Sequence, residues 1–178
     1  MWASSRGRLL GGVLFLVVLG FLFLFGTALR GKGAGPLTEG PAPNFTLQLF
    51  EGGTISLEEL RDEIVVINFW AAWCVYCREE APILERSWQA YKGKGVTFIG
   101  VNWMDVESEA QKYLLEFAIT YPNGPDLGGK IGRAYGVQGV PETYIVDQEG
   151  NLAHTQIGPL DEATLVGVLE SLLDQPHQ

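Results

Sequence analysis

Two cysteines, Cys74 and Cys77, are the only ones in this 178-residue chain. Two thiols at C-x-x-C spacing can close a small disulfide ring and open it again, with transfer of two electrons. The residues after them, 78–85, have the character of a helix. Unpaired N–H groups and the positive end of the dipole at a helix start favour the thiolate, which is the form that attacks disulfides. The pair therefore predicts a redox disulfide, Cys74–Cys77, with a purely structural bridge as the alternative.

The positions of the two sulfurs suggest different roles. Cys74 is nearest to the helix end and to the loop surface, so we expect it to be the attacking nucleophile. Cys77 lies one turn deeper and would resolve the mixed disulfide that the attack forms. The alternative is that both are ordinary core cysteines.

Aromatic residues flank the strand that delivers this pair. Residues 64–70 are apolar nearly throughout, as in a central strand that is covered on both faces. Trp70 closes this strand and is expected in the core. Trp73 directly precedes Cys74, and we expect it to shield the sulfurs and to contact a protein partner.

Glu80 follows Cys77 by three residues and so shares its helix face. A carboxylate beside Cys77 would raise the pKa of that thiol by like-charge repulsion and could then accept its proton. The alternative is a solvated helix glutamate, which we expect Glu79 to be.

The remaining pattern predicts an α/β domain with a mixed sheet and helices on both faces. Ser56 and Glu59 have the spacing of a capping box, and Asp161 is placed to begin the last helix. The predicted order is a hairpin (44–49 and 54–57), a strand (64–70), a helix (74–91), a strand (96–101), a helix (107–119), a loop (121–125), a short helix (127–135), a second hairpin (140–147 and 152–157) and a final helix.

The Trp73-Cys-x-x-Cys77 motif after a strand, followed by Ala81-Pro82-Ile83-Leu84, resembles the thioredoxin superfamily. The resemblance runs from about Pro41 to Leu173. The extra N-terminal hairpin, and an inserted helical segment between Asn102 and Pro141, resemble the membrane-anchored TlpA/ResA/CcmG (DsbE) thiol–disulfide oxidoreductases. The G-x-P-E-T run within residues 136–147 is similar to the cytochrome c maturation branch.

This resemblance implies further functions and site residues. The implied reaction is reduction of the disulfide in an apocytochrome c haem motif, with electrons from a membrane thiol transporter. Pro141 matches a proline that is cis and faces the cysteines, so that Val140 offers its backbone to a substrate strand; an ordinary strand-entry proline is the alternative. Glu142 is either a substrate contact or a plain surface charge.

The chain departs from thioredoxin at two places. Asn68 stands where thioredoxins usually bury an aspartate, and Val75-Tyr76 replaces the Gly-Pro between the cysteines. Without that aspartate, another group must accept the proton of the resolving thiol.

Residues 9–29 are 21 uncharged and mostly apolar residues, which can span a hydrocarbon core of about 30 Å. We expect a single-pass signal anchor there after a short segment, 1–8, with the N-terminus inside the cell. A cleaved signal peptide is the alternative. A Gly/Pro-rich linker, 30–40, would lead to a thioredoxin-like domain, 41–175, on the periplasmic or outer side of a bacterial membrane.

Charge and histidine placement narrow the partners. After position 36 the chain has 21 acidic and 8 basic residues, a net charge of −13, which argues against a nucleic-acid partner. His154 and His177 lack ligand spacing to the cysteines, so we expect neither a metal nor another cofactor. We expect a monomer that acts on protein disulfides. The rival functions are a general TlpA-like reductase, a copper-delivery or copper-site assembly module and, least favoured by the Trp-Cys-x-x-Cys setting, a peroxidase-like enzyme.

Overall fold

The computed structural model describes residues 12, 14–21 and 35–175. The chain divides into two compact units, Met1–Ala34 and Gly35–Gln178. In the first unit the described residues are helical. Within the described parts of the chain, no helix combines the length and the apolar character that crossing a bilayer requires. Most of residues 9–29 lies outside the described residues, so the expected span stays a prediction, as does the segment 1–8.

A five-stranded sheet organises the second unit, in the order β5-β4-β3-β6-β7. The central strand β3 pairs in parallel with β4 and antiparallel with β6, so the sheet is mixed, as predicted. All seven residues of β3 are buried, which agrees with its uniformly apolar sequence. The strands are β3 (Ile64–Trp70), β4 (Val96–Asn102), β5 (Asn123–Pro125), β6 (Glu142–Val146) and β7 (Leu152–Ile157).

Side chains that alternate along β3 enter two different cores, because successive residues of a strand point to opposite faces. Val65, Ile67 and Phe69 pack with residues of the N-terminal hairpin and of the helix Lys130–Tyr135. Ile64 and Val66 pack instead with the helices Val75–Tyr91 and Glu162–Leu173. Helices therefore cover both faces of the sheet. We number the four α-helices of the described part of the second unit α1 (Val75–Tyr91), α2 (Glu107–Glu116), α3 (Lys130–Tyr135) and α4 (Glu162–Leu173).

The predicted N-terminal hairpin is present. Strands β1 (Thr46–Gln48) and β2 (Thr54–Ser56) pair antiparallel, and a 3-10 helix, Leu57–Leu60, follows. The capping-box prediction is wrong, since the side chain of Ser56 makes no capping hydrogen bond. Asp161 does cap its helix, because its carboxylate accepts the N–H of Thr164 at 2.9 Å.

The segment between β4 and β6 differs from its prediction in two details. Residues 123–125 form a short strand, β5, rather than a loop, and α3 begins at Lys130. The domain also begins earlier than position 41, since the N–H of Leu37 donates to the carbonyl of Tyr135 and the carbonyl of Gly40 accepts from Leu152. The C-terminal part of the expected linker is therefore packed on the domain.

The sheet brings two distant stretches of sequence together. Strand β3 ends at Trp70, four residues before Cys74, and Phe69 pairs with Glu142 at the start of β6. Because β3 and β6 are antiparallel neighbours, the end of one lies beside the beginning of the other. The cysteines and Pro141 therefore meet at the same edge of the sheet.

Candidate active site

Cys74 and Cys77 are joined in a disulfide at the start of α1, with their Cα atoms 5.3 Å apart. Cys74 is the N-cap residue, and its sulfur accepts the N–H of Cys77 at 3.1 Å. One of the helix N–H groups that would otherwise lack a partner thus points at the sulfur of Cys74. A thiolate formed there would be stabilised by this N–H and by the helix dipole.

The sulfurs are shielded, but apolar side chains around them are open to solvent. Cys74 is 4% exposed and Cys77 is fully buried. Trp73 is 58% exposed, and Val75 and Tyr76 between the cysteines are also exposed. We call Trp73, Val75 and Tyr76 the apolar rim. Solvent-exposed apolar groups beside a reactive sulfur suit contact with a protein chain rather than with a small polar molecule.

The Val140–Pro141 peptide bond is cis, and it lies next to the disulfide. The carbonyl oxygen of Val140 is 3.4 Å from the sulfur of Cys74. A disulfide sulfur carries no hydrogen, so in this oxidised form the approach is a van der Waals contact; a reduced thiol could donate there. Within residues 35–175 the N–H of Val140 has no acceptor. One backbone donor next to the disulfide is therefore free for a partner.

Glu80 is buried on the same helix, one turn after Cys77, and is 2% exposed. One carboxylate oxygen accepts the side-chain amide of Asn68 at 2.8 Å, and the other accepts the N–H of Leu160 at 2.9 Å. Burial raises the pKa of Glu80 from 4.5 to about 7, although both hydrogen bonds favour the carboxylate. A carboxyl group with this pKa can both take up and release a proton near neutral pH.

Asn68 connects Glu80 to the strand that follows Pro141. Its side-chain amide also donates to the hydroxyl of Thr143 at 3.0 Å. The position where thioredoxins usually have a buried acid thus holds a hydrogen-bond donor, and the buried acid that it contacts is Glu80 on α1. The buried carboxylate one turn from the resolving cysteine is therefore that of Glu80.

Glu142 is neither of the two things that the sequence suggested. It is only 1% exposed, so it is not a surface charge, and its carboxylate does not face an open groove. One oxygen accepts the N–H groups of Gln138 and Gly139 at 3.0 and 3.2 Å, and the other accepts the hydroxyl of Tyr144 at 2.7 Å. Its carboxylate therefore holds the loop that leads into Val140 and Pro141.

Two further residues near the disulfide were not singled out from the sequence. Asp105 accepts the N–H of Ala72 at 2.6 Å and the side-chain amide of Asn102 at 2.9 Å. It thereby fixes the loop between β3 and the cysteines. The hydroxyl of Tyr113 donates to the carbonyl of Cys77 at 2.8 Å. The only sequence signal for Tyr113 was its place on the apolar side of α2, and Asp105 had none.

A cavity of about 570 Å³ adjoins the site and shares Met104 and Asp105 with it. The indole N–H of Trp73 donates to the carbonyl of Met104 at 3.2 Å, which links the rim to this cavity. Its walls combine apolar and polar groups: Asn102, Trp103, Met104, Asp105, Pro125, Asp126, Leu127, Gly128, Gly129, Arg133 and Val137.

The other aromatic and histidine predictions concern residues away from the sulfurs. Trp70 is buried, as expected, and its indole N–H donates to the side-chain oxygen of Asn123 at 2.8 Å. His154 lies on β7, and its buried Nε2 atom has no hydrogen-bond partner within the described domain. His177 lies outside the described residues.

The chain is similar to proteins named as thiol:disulfide interchange proteins and thiol-disulfide oxidoreductases. The model of the AhpC/TSA family matches residues 38–155, more than half of the chain. The thiol:disulfide interchange protein DsbE of Allochromatium vinosum is 35% identical over 165 residues, 90% of this chain and 89% of that protein. HelX, a thiol:disulfide interchange protein of Rhodobacter capsulatus, is 41% identical over 117 residues, 65% of this chain and 64% of its own length. The thiol-disulfide oxidoreductase ResA of Bacillus thuringiensis is 30% identical over 131 residues, 74% of this chain and 76% of that protein.

A solved structure has the same fold. The thiol:disulfide interchange protein of the thioredoxin family from Chlorobium tepidum superposes with a TM-score of 0.70 at 26% identity, over 79% of this chain and 98% of its own. The mixed sheet and its covering helices are therefore those of a thioredoxin-like domain.

Proposed function

Because this chain belongs to the thioredoxin-like AhpC/TSA family and is a thiol–disulfide oxidoreductase like its relatives, we propose that it reduces disulfides of protein clients outside the cytoplasm, tethered by its own N-terminal helix. One observation carries the proposal: the Cys74–Cys77 disulfide caps a helix and touches the backbone of Val140, beside an apolar rim. A nucleophile, a resolving thiol and a strand-binding backbone group then lie within one small area.

The reaction has two exchange steps that balance in atoms and electrons. The Cys74 thiolate attacks one sulfur of the client disulfide, forms a mixed disulfide, and releases the other client sulfur as a thiolate that takes up a proton. Cys77, as a thiolate, then attacks the sulfur of Cys74. The Cys74–Cys77 bond forms, the mixed disulfide breaks, and the second client sulfur leaves as a thiolate. The client gains two electrons and this domain loses them.

We assign the proton of Cys77 to Glu80. The second step needs Cys77 as a thiolate, but full burial opposes that charge. The carboxylate of Glu80, one turn further along α1 and with a pKa of about 7, is suited to accept this proton. Electrons for the next cycle come from a dithiol, for which we propose a membrane thiol–electron donor.

Client binding uses the backbone of Val140 and the apolar rim. An extended client segment would pair with the free N–H of Val140, in the manner of an added β-strand. Trp73 would cover the apolar part of the same segment. Pro141 and Glu142 act indirectly, because they set the path of the backbone that presents Val140.

We propose apocytochrome c, with its two haem-motif cysteines, as the client. The support is the similarity to proteins named DsbE and HelX over most of this chain, together with the Gly139-Val140-Pro141-Glu142-Thr143 sequence of the resembled maturation branch. A general TlpA-like reductase with other clients is the alternative. The uncharged run 9–29 is the proposed anchor, and the domain is proposed to act as a monomer.

The test uses the full-length Cys77→Ala variant, which can form the mixed disulfide but cannot resolve it. Expressed in a bacterium that makes c-type cytochromes, it should accumulate disulfide-linked clients, with apocytochrome c among them. The matched Cys74→Ala variant should trap none. Capture of copper-centre proteins without apocytochrome c would contradict the proposed client. Equal trapping by both variants would contradict the assignment of Cys74 as nucleophile.

A further inference from the structure

Tyr113 contacts the backbone of Cys77 from an element outside the C-x-x-C segment. It lies on helix α2 and is nearly fully buried. Its hydroxyl donates a 2.8 Å hydrogen bond to the backbone carbonyl of Cys77, 36 residues away in sequence. No other side chain of the described domain donates a hydrogen bond to the backbone of the first turn of α1.

The ring of Tyr113 is held in place from behind. It stacks on Trp70 with centroids 4.3 Å apart and planes within 20° of parallel. The indole of Trp70 is in turn fixed by its hydrogen bond to Asn123 on β5. Gly100 leaves the room for this pair, since a Cβ atom there would lie 1.7 Å from the side-chain oxygen of Asn123. The packing of Trp70 and Asn123 thus fixes the orientation of the Tyr113 ring and of its hydroxyl.

A second contact between α1 and α2 involves Arg78. The guanidinium of Arg78 lies 5.0 Å from the ring centroid of Phe117 and forms an ion pair with Glu116. Arg78 directly follows Cys77, and Glu116 and Phe117 lie at the end of α2. Helix α2 therefore contacts the first turn of α1 at two consecutive residues, Cys77 and Arg78.

The first turn of α1 needs such support. Pro82 has no N–H, so the helix hydrogen bond that would end on the carbonyl of Arg78 is missing. The helix directly after Cys77 is consequently less restrained by its own backbone than an ordinary helical turn. A hydrogen bond from another element replaces part of that restraint.

The same bond changes the electrostatics around the sulfur of Cys77. A backbone carbonyl places its negative end near the side chain of its own residue, which disfavours a thiolate. A hydroxyl hydrogen on that oxygen offsets part of the negative charge. Burial, with the nearby Glu80 carboxylate adding to it, raises the pKa of Tyr113 well above its ordinary value, so the phenol remains a donor at every working pH.

We propose that Tyr113 is a positioning residue for the resolving step: it holds the first turn of α1 and favours the thiolate of Cys77, so that Cys77 attacks the mixed disulfide on Cys74 faster. This inference rests on the role of Cys77 under the proposed function. The charged groups that face this turn are Glu80 on α1 itself, the Arg78–Glu116 pair, and Asp105 on the loop after β4. Tyr113 differs from these groups because it is an uncharged hydrogen-bond donor.

The test separates the two chemical steps with a small disulfide, dithiobis(nitrobenzoate), and the reduced full-length chain in detergent. Attack by Cys74 releases one thionitrobenzoate, and resolution by Cys77 releases the second, so stopped-flow absorbance gives both rates. The variant is Tyr113→Phe, which keeps the ring on Trp70 and removes only the hydroxyl. Tyr135→Phe is the matched control, because its buried hydroxyl makes a 2.9 Å bond to the carbonyl of Pro43, on the other face of the sheet.

Loss of one neutral hydrogen bond corresponds to a change of about fivefold. Tyr113→Phe should therefore slow the second phase about fivefold and raise the pKa of Cys77 measured by the pH dependence of that phase. The first phase, and both phases of Tyr135→Phe, should keep wild-type rates. The inference is overturned if the second phase of Tyr113→Phe is unchanged, or if both phases slow together.

Should Tyr113→Phe fail to fold, fluorotyrosine at position 113 provides a graded test. Fluorine on the ring strengthens the hydroxyl as a donor while leaving the packing nearly unchanged. The second phase should then become faster as the hydroxyl becomes more acidic, and an unchanged rate across the series would refute the inference. Absence of the first phase in the wild-type chain would instead refute the proposed role of Cys74.

Discussion

The active site has two sides, and each contains a buried glutamate that the protein uses differently. On the cysteine side, Glu80 accepts two hydrogen bonds, and burial raises its pKa to about 7. On the proline side, Glu142 accepts three, two of them from backbone N–H groups of the loop just before Val140. The partners of the two carboxylates thus differ: those of Glu80 are Asn68 on β3 and the N–H of Leu160, whereas two of those of Glu142 belong to the loop before Val140. Burial alone does not decide between these roles.

The largest effect is expected at Glu80. Glu80→Gln keeps the size of the side chain and one of its two accepting oxygens but removes the proton acceptor, so the resolving step should slow by about a hundredfold. Wild-type resolution should also accelerate as pH rises through about 7, and this rise should be missing in the variant. Stopped-flow measurement of the second exchange step from pH 5 to 9 would show both effects; the range is chosen to bracket the pKa by about two units.

The exposed Glu79→Gln variant is the control for this prediction, since Glu79 neighbours Glu80 but points to solvent. It should retain the wild-type pH profile. A Glu80→Gln variant with an unaltered profile would show that another group takes the proton.

The second prediction concerns stability and pH in the oxidised domain. The pKa of Glu80 is higher in the folded state than its ordinary 4.5, so the folded state holds this proton more tightly than the unfolded chain does. The resulting stabilisation is complete below about pH 4.5 and is lost as pH rises through about 7, a decrease of about 3 kcal/mol in the free energy of unfolding. Glu80→Gln should lack this decrease, as urea denaturation at both pH values would show. Parallel curves for the variant and the wild type would contradict the assignment.

The proline side should respond in stability and client binding instead of in sulfur chemistry. Glu142→Ala leaves the N–H groups of Gln138 and Gly139 without an acceptor, which should cost about 1–3 kcal/mol. Because the backbone of Val140 is then less fixed, KM for a protein client should rise while both exchange rates with a small disulfide stay near normal. Denaturation and insulin reduction measure these effects, with the exposed Glu149→Ala as control. Slower exchange of Glu142→Ala with the small disulfide would contradict the assignment of the proline side to client binding alone.

The smallest effect on stability is expected at Trp73, although it lies next to Cys74. Its ring is mostly exposed, so Trp73→Ala should change the free energy of unfolding by about 0.5 kcal/mol or less. KM for a protein client should nevertheless rise several-fold, because the rim loses its largest apolar surface. Leu115→Ala, at an exposed apolar position on α2, is the control and should leave KM unchanged. An equal rise in KM for both variants would mean that the rim is not a specific contact.

The elements of the cysteine side could be predicted because they depend on short-range sequence patterns. The strand β3, the helix start at Cys74 and the position of Glu80 depend on neighbours a few residues away, and the structure has all three where the pattern placed them. The N-terminal hairpin follows equally from local alternation around a glycine turn.

Partners that are distant in sequence determined the rest. The buried state of Glu142 depends on a loop that folds back to meet it, and the pattern of a lone charged residue after proline does not reveal this. Strand β5 has only three residues, with glycine and proline among them, and forms because β4 offers a free edge. The hydroxyl of Tyr113 finds its acceptor 36 residues upstream, so helical periodicity gave its side but not its partner.

The pairing of Phe69 with Glu142 has a mechanical consequence. The loop to the cysteines leaves β3, and the loop with Pro141 enters β6, at the same end of one antiparallel ladder in the middle of the sheet. The distance between the two loops at this point is therefore set by the spacing of the paired strands. We expect a client to place its disulfide between Cys74 and the backbone of Val140. A change in client preference would then require changes in the surrounding loops, while the spacing of β3 and β6 stays the same.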